Sequence, residues 1–180
     1  MKAIIYALFV PLLVAGGLVL ANRDAKEDAS KIPTPRPLTA AERNAALKAW
    51  EATPDGVLYK KWEESPPGKK VLAGAARISK HTREFTDMEA EITSLSLPPG
   101  SRLGFGLMAR IDGEDYILSF GTGTPDEFQQ LPSLKVGDKI VLRSHGVSWA
   151  PKYAYPIVTG DFVERAGKVV YKRVPRKGGC

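Results

Sequence analysis

Hydrophobic positions follow three different rhythms along this chain. From Ala3 to Ala21 they are continuous, AIIYALFVPLLVAGGLVLA, and the next charge is Arg23. At about 1.5 Å per helical residue this run reaches roughly 28 Å, close to the hydrocarbon thickness of a bilayer, so it predicts delivery to the secretion machinery. Lys2, Gly16-Gly17 and the closing Val19-Leu20-Ala21 fit a signal peptide cut after Ala21. The length suits a retained membrane anchor equally well, and both outcomes stay open. In either case residues 22–180 are expected outside the cytoplasm, and the lack of a Cys near position 20 excludes a lipoprotein anchor.

The second rhythm is helical. Residues 22–37, NRDAKEDASKIPTPRP, are charged and then proline-rich and predict an extended tether. A helical cap is expected over 38–68. Thr39 and Glu42 form a capping box for a helix from Ala40 to about Ala52, whose Ala46, Leu47 and Trp50 make an apolar stripe suited to packing on a sheet. Thr53-Pro54-Asp55-Gly56 ends it. Val57–Glu64 is ambiguous, compatible with a short helix presenting Leu58 and Trp62, and Ser65-Pro66-Pro67-Gly68 closes the piece.

From Lys69 the rhythm is two, and a barrel is expected over 69–174. Val71 to Ile78 reads as a leading strand. Met88, Ala90 and Ile92 alternate with acids, and a bulge near Ser94 would bring Leu95 and Leu97 back to the same face. After the Pro98-Pro99-Gly100 turn, Leu103, Phe105, Leu107, Ala109 and Ile111 alternate strictly with Arg102, Gly104, Gly106, Met108 and Arg110, a half-buried strand. Asp112-Gly113 predicts a tight hairpin, with Tyr116, Leu118 and Phe120 on the returning strand. Thr124, Pro125 and Glu127 predict a helix from Pro125 to Leu131, stopped by Pro132. A turn at Lys135–Asp138 leads to a long strand marked by Ile140, Leu142, Val147 and Trp149. A loop over 150–156, a strand from Ile157 to Val163, an Ala166-Gly167 turn and a last strand, Lys168 to Val174, complete the pattern.

Charge changes the picture only at the end of the chain. The net charge is +6, but between residues 22 and 161 basic and acidic residues balance at 19 each. The excess lies in Arg165, Lys168, Lys172, Arg173, Arg176 and Lys177, leading into a basic tail over 175–180. The single Cys, Cys180, rules out an intrachain disulfide, so stability must come from an ordinary core.

Five strands with a helix between the third and fourth resemble the OB-fold, a small Greek-key barrel. The segment FQQLPSLKVGDKIVLRSHGV resembles the OB stretch where the helix joins the fourth strand through a Leu-Lys-x-Gly-Asp turn. With the apolar N-terminus, the chain resembles exported or membrane-anchored bacterial OB-fold proteins of the tRNA-anticodon-binding-like type. The resemblance implies a mainly β, five-stranded OB-like barrel with an N-terminal helical cap and an extra C-terminal hairpin strand. An SH3-like barrel is the other small antiparallel barrel compatible with the strands.

The chemistry is expected to be binding. His81 and His145 lack partners at zinc-ligand spacing, no nucleophile motif is present, and the Gly-rich stretches GFGLMA and GTGTP lack the phosphate-loop pattern. No catalytic residue, metal or cofactor is expected. Haem carriage, known in one exported OB-like family, is disfavoured because no His follows the last barrel strand. OB-folds offer ligands the face of strands two and three and adjoining loops, which here implies Arg102, Met108, Arg110, Trp149, Lys152, Tyr153 and Tyr155, rings beside cations. The expected function is that of a non-catalytic periplasmic protein, soluble or anchored in the inner membrane by residues 3–21, binding an envelope protein or glycan. The alternative is an exported nucleic-acid-binding module for DNA transfer or uptake.

Overall fold

A computed structural model describes residues 36–174. The apolar run 3–21, tether residues 22–35, the basic tail 175–180 and Cys180 lie outside the described residues. Among those described, no helix is long and apolar enough to cross a membrane. The described residues divide into two compact units between Ala46 and Leu47.

In the first unit the capping box forms as expected. The Thr39 N–H donates to Glu42 Oε2 at 2.8 Å, and the Glu42 N–H donates to Thr39 Oγ1 at 3.2 Å. This starts helix α1 (Ala40–Glu51).

The second unit opens with helices. Helix α2 (Pro54–Glu64) follows α1, and α3 (Pro66–Glu84) follows α2 after one residue. Thr53 and Ser65 do more than stop the helix before them. Each hydroxyl accepts from the N–H three residues on, Gly56 at 3.1 Å and Gly68 at 3.2 Å, and so caps the next helix. Proline in each first turn, where no N–H partner is needed, completes the start.

The leading strand expected over Val71–Ile78 is therefore wrong: these residues lie within α3. Val71, Ala75, Ile78 and Thr82 recur at helical spacing and are all buried, which outweighs the apparent alternation. The helical region runs to Glu84 instead of ending at 68. The stripe on α1 also behaves differently from expectation: Leu47 and Trp50 are 52% and 41% exposed and do not pack on a sheet.

The remaining chain forms one mixed sheet of eight strands. They are β1 (Met88–Ser94), β2 (Phe105–Ile111), β3 (Glu114–Gly121), β4 (Lys139–Arg143), β5 (Val147–Ser148), β6 (Ile157–Thr159), β7 (Phe162–Arg165) and β8 (Lys168–Lys172), in the order β5-β6-β3-β2-β1-β4-β7-β8. All pairs are antiparallel except β3 with β6. The bulge near Ser94 is present as a register shift between Ile92 and Ser94, but it does not return Leu95 and Leu97 to the face of Ile92: β1 ends at Ser94, Leu95 is exposed and Leu97 packs in a different cluster, with Met108. The Asp112-Gly113 hairpin is present, with positive φ at both residues (50° and 80°), and Ala166-Gly167 turns β7 into β8 in the same way.

Two expected strands are each divided. The strand from Ile140 to Trp149 breaks at residues 144–146, where the buried Ser144 hydroxyl donates to the Gly146 carbonyl. That from Ile157 to Val163 breaks at Gly160-Asp161, so that β6 pairs with β3 and β7 with β4. The helix expected over 125–131 is replaced by successive turns with i→i+3 hydrogen bonds, followed by a short 3₁₀ helix at Leu131–Ser133. Seven residues with a Gly-rich approach and Pro132 behind them are too few to nucleate an α-helix. The Glu127 carboxylate nonetheless accepts from the Thr124 N–H at 2.8 Å, as a cap pair would.

The main core lies on one face of the sheet, with a contribution from α3. Ile92, Leu107, Ile111, Tyr116, Leu118, Phe120 and Leu142 are at most 2% exposed, and Ile78 of α3 joins them. The Tyr116 hydroxyl donates to the Gly74 carbonyl at 2.9 Å and fastens α3 to β3.

Candidate functional site

The face of β2 and β3 that was expected to meet a ligand is filled by the chain itself. Met108, Ile117, Tyr153 and Ile157 form a second buried cluster, with Leu97, Leu103, Ala150 and Tyr155 packed around it. Met108 and Tyr153 are 8% and 6% exposed, so neither is available as a contact residue. The loop 150–156 folds back over the sheet, and the Tyr153 hydroxyl accepts from the Arg102 N–H at 3.3 Å. The Lys152 ammonium sits 4.7 Å from the Tyr153 ring centre. It holds the phenol below its ordinary ionisation range. A cation close to a phenol favours the phenolate.

Of the two glycines expected to face outward, Gly106 serves this closure, while Gly104, just before β2, serves a close approach to the backbone of Gly121. A Cβ at Gly106 would lie 2.7 Å from both the Leu97 side chain and the Leu118 carbonyl. At Gly104, with φ of 72°, it would lie 2.1 Å from the Gly121 carbonyl. The room these positions provide is taken by the protein's own chain.

Of the remaining expected residues, Arg102, Arg110 and Lys152 are exposed and Tyr155 is half-buried. Arg110 and Tyr155 come together in a pocket of about 250 Å³, where Lys70 of α3 joins them. That pocket also holds Glu114 and Asp115, and Arg110 is already paired with Asp115 at 3.0 Å. Its charges are largely answered from within.

Trp149 is the exception, for it points away from this group. Its indole N–H donates to the Tyr59 hydroxyl of α2 at 2.7 Å. Tyr59 in turn lies between Trp50 and Trp62, with ring centres 5.5 Å away on each side. All three Trp of the chain therefore meet around one Tyr, and Trp50 and Trp149 stay 41% and 38% exposed. Leu58 and Val57 of α2 are 65% and 57% exposed.

The sequence itself carries a signal for this cluster. Residues 50–56, WEATPDG, and 62–68, WEESPPG, share the pattern Trp-Glu-x-Ser/Thr-Pro-x-Gly at a spacing of 12. The structure gives its physical meaning. In each copy the cap hydroxyl donates to the Trp carbonyl at 2.6 Å. A Cβ on the glycine would come within 2.2 Å of the Trp50 carbonyl and 1.9 Å of the Trp62 carbonyl. The motif is a tight helix-to-helix corner that needs glycine for close approach, and it sets one Trp at the end of each helix.

From the Trp cluster a groove of about 440 Å³ runs between α3 and β5. Leu72, Ala75, Ala76, Ser79, Thr82 and Arg83 form the helix wall, and His145, Gly146, Val147 and Trp149 the other. At its far end the His145 ring stacks on Phe85 at 4.0 Å. Phe85 terminates α3 in the left-handed region, with φ of 52°. The buried Asp161 accepts from the His145 N–H at 2.7 Å and faces His145 Nδ1 at 3.3 Å, while Arg173 binds its other oxygen at 2.5 Å.

No group of three or more metal-ligating side chains occurs among the described residues. No protein-family model matches this chain, and no curated protein matches it.

Proposed function

We propose that this chain is a non-catalytic, exported protein of the bacterial envelope, in which an OB-like barrel carries a binding surface for another envelope component. The barrel reading is supported by the β1–β2–β3 meander, the antiparallel β1–β4 pair and the parallel β3–β6 pair. It is also supported by β5, which pairs with β6 and follows β4 after only residues 144–146. Those two segments serve as one bent fourth strand, with β7 and β8 as an added hairpin. Export is supported by the apolar run from Ala3 to Ala21.

The observation that carries the binding reading is the partly exposed aromatic cluster of Trp50, Tyr59, Trp62 and Trp149 beside the groove between α3 and β5. Large rings left partly in water next to an apolar groove mark an interaction surface. The site thus sits on the helical side and not on the β2–β3 face. Nucleic acid is the weaker alternative, because two cations of the basic end are already committed. Arg165 pairs with Asp138 at 2.7 Å and Arg173 with Asp161 at 2.5 Å.

A photoreactive amino acid placed at position 76 in the groove, or at 102 on the β2–β3 side, tests this reading in cells of the source organism. Light-dependent adducts are expected from 76 and not from 102, and their loss in a Trp149→Ala background ties them to the cluster. Adducts from 102 alone would return the site to the β2–β3 face. A strongly salt-dependent gel shift with DNA would replace the reading by the alternative.

A further inference from the structure

The groove between α3 and β5 has two chemically different ends. α3 runs from Leu72 to Arg83 along one wall, about 16 Å at 1.5 Å per residue. The opposite wall runs the other way: His145 stacks on Phe85 at the C-terminal end of α3, while Trp149 bonds Tyr59 of α2, the helix that leads into α3. Arg83 and His145 therefore share one end, and Leu72 and Trp149 share the other.

Between the ends the helix wall offers carbon. Ala75 and Ala76 carry only methyl groups. The Ser79 hydroxyl donates to the Ala76 carbonyl at 2.8 Å and the Thr82 hydroxyl to the Ser79 carbonyl at 3.1 Å, so both are turned to the helix backbone. Committed as donors, those hydroxyls can only accept, so the carbonyls of a peptide lying here would find no side-chain donor on that wall before Arg83. A hydrocarbon chain needs none.

The polar end is cationic. Arg83 is exposed, and among the described residues it has no ion-pair partner. Beside it the His145 ring lies stacked on Phe85, with Nδ1 facing Asp161. A guanidinium fork matches a carboxylate.

From this arrangement we infer that the groove binds a single-chain fatty carboxylate, with its head group at Arg83 and His145 and its alkyl chain laid over Ala76 and Val147 towards Leu72 and Trp149. The inference rests on the reading of this groove as the binding site and gives that site a ligand class. Open at the surface, the groove holds the chain by partial burial. Each added methylene therefore tightens binding by up to roughly fourfold, the equivalent of about 0.8 kcal/mol.

The test is titration of the full chain with octanoate, decanoate and dodecanoate below their micelle concentrations, read by calorimetry and Trp fluorescence. One saturable site is expected, tightening along the series. Arg83→Glu, which reverses the charge at an exposed position, should weaken dodecanoate binding at least tenfold. Ala76→Glu, which puts a carboxylate in the chain's path, should do the same, and Lys168→Glu on β8 should leave binding unchanged. Dodecyltrimethylammonium, with the same tail and opposite charge, should bind at least tenfold more weakly. Equal binding of the two amphiphiles, dodecanoate binding that survives both groove substitutions, or no saturable site would each overturn the inference. If dodecanoate fails while adducts from position 76 persist, the ligand class is wrong and the binding surface stands; if both fail, the groove is not a site.

Discussion

Tyr153 and Trp149 are four residues apart, on either side of Ala150 and Pro151, yet they serve opposite surfaces. Tyr153 turns onto the outer face of β2 and β3 and seals it with Met108, Ile117 and Ile157. Trp149 turns to the helices and completes an aromatic cluster that stays partly in water. On the first surface a ring fills space that a ligand would need, and on the second a ring leaves a groove beside it. Aromatic residues beside cations thus describe both a plug and a platform, and only the neighbours distinguish them.

The largest expected effect is on the sealed side. Tyr153→Ala removes a buried ring and should lower stability by about 3–5 kcal/mol, read as a shift of the urea midpoint. A change below about 1 kcal/mol would mean that the loop 150–156 does not close that face. Gly104→Ala comes next, because it sets a Cβ against the Gly121 carbonyl while forcing positive φ. A loss of about 2 kcal/mol or more is expected in the same measurement. Gly113→Val should cost about 1–2 kcal/mol, since its φ of 80° disfavours a β-branched residue although space is open around it.

A titration sharpens the same contrast. Lys152 lowers the Tyr153 phenol from its ordinary value of 10.0, so the folded state gives up this proton before the unfolded chain does. Stability from this group therefore rises with pH between the folded pKa and the unfolded one. Lys152→Met should move the Tyr153 transition upwards in an ultraviolet titration of the phenols, and an unmoved transition would show that the cation does not sit on the ring. The smallest stability effect belongs to the open side. Trp149→Ala should change the melting free energy by no more than about 1 kcal/mol, yet abolish light-dependent adducts at position 76. A loss as large as that of Tyr153→Ala would make Trp149 a core residue and erase the distinction.

What the sequence makes legible follows from the range of the forces involved. Local signals were readable: the Thr39–Glu42 box, the Asp112-Gly113 turn, the bulge near Ser94 and the alternating strand around Leu107 all depend on residues a few positions apart. The fate of Val71–Ile78 turned on a cap, since Ser65 starts a helix where its prolines suggested only an end. The two faces of β2 could not be told apart for a different reason. Gly106 and Met108 look outward by alternation, but Leu97 and Tyr153 reach them from distant loops and bury both faces. Trp149 and Tyr59 meet across 90 positions, and no periodicity reports such a contact. The repeated Trp-Glu-x-Ser/Thr-Pro-x-Gly corner was the available clue to the helical side.

The parallel pairing of β3 with β6 has a consequence for how quickly this protein forms. β2–β3 and β7–β8 are hairpins whose strands meet almost as soon as their turns close, on the microsecond scale of such events. Ile117 must wait for Ile157, and bringing them together closes a loop of about 40 residues before any bond compensates the lost chain freedom. Until then one edge of β3 presents Ile117 and Leu118 without a neighbouring strand, the state in which a β-rich chain most readily sticks to another copy. Assembly is thus paced by the arrival of three residues, Ile157–Thr159, and a chaperone that masks β3 until they arrive would raise the yield of folded protein without altering its final stability.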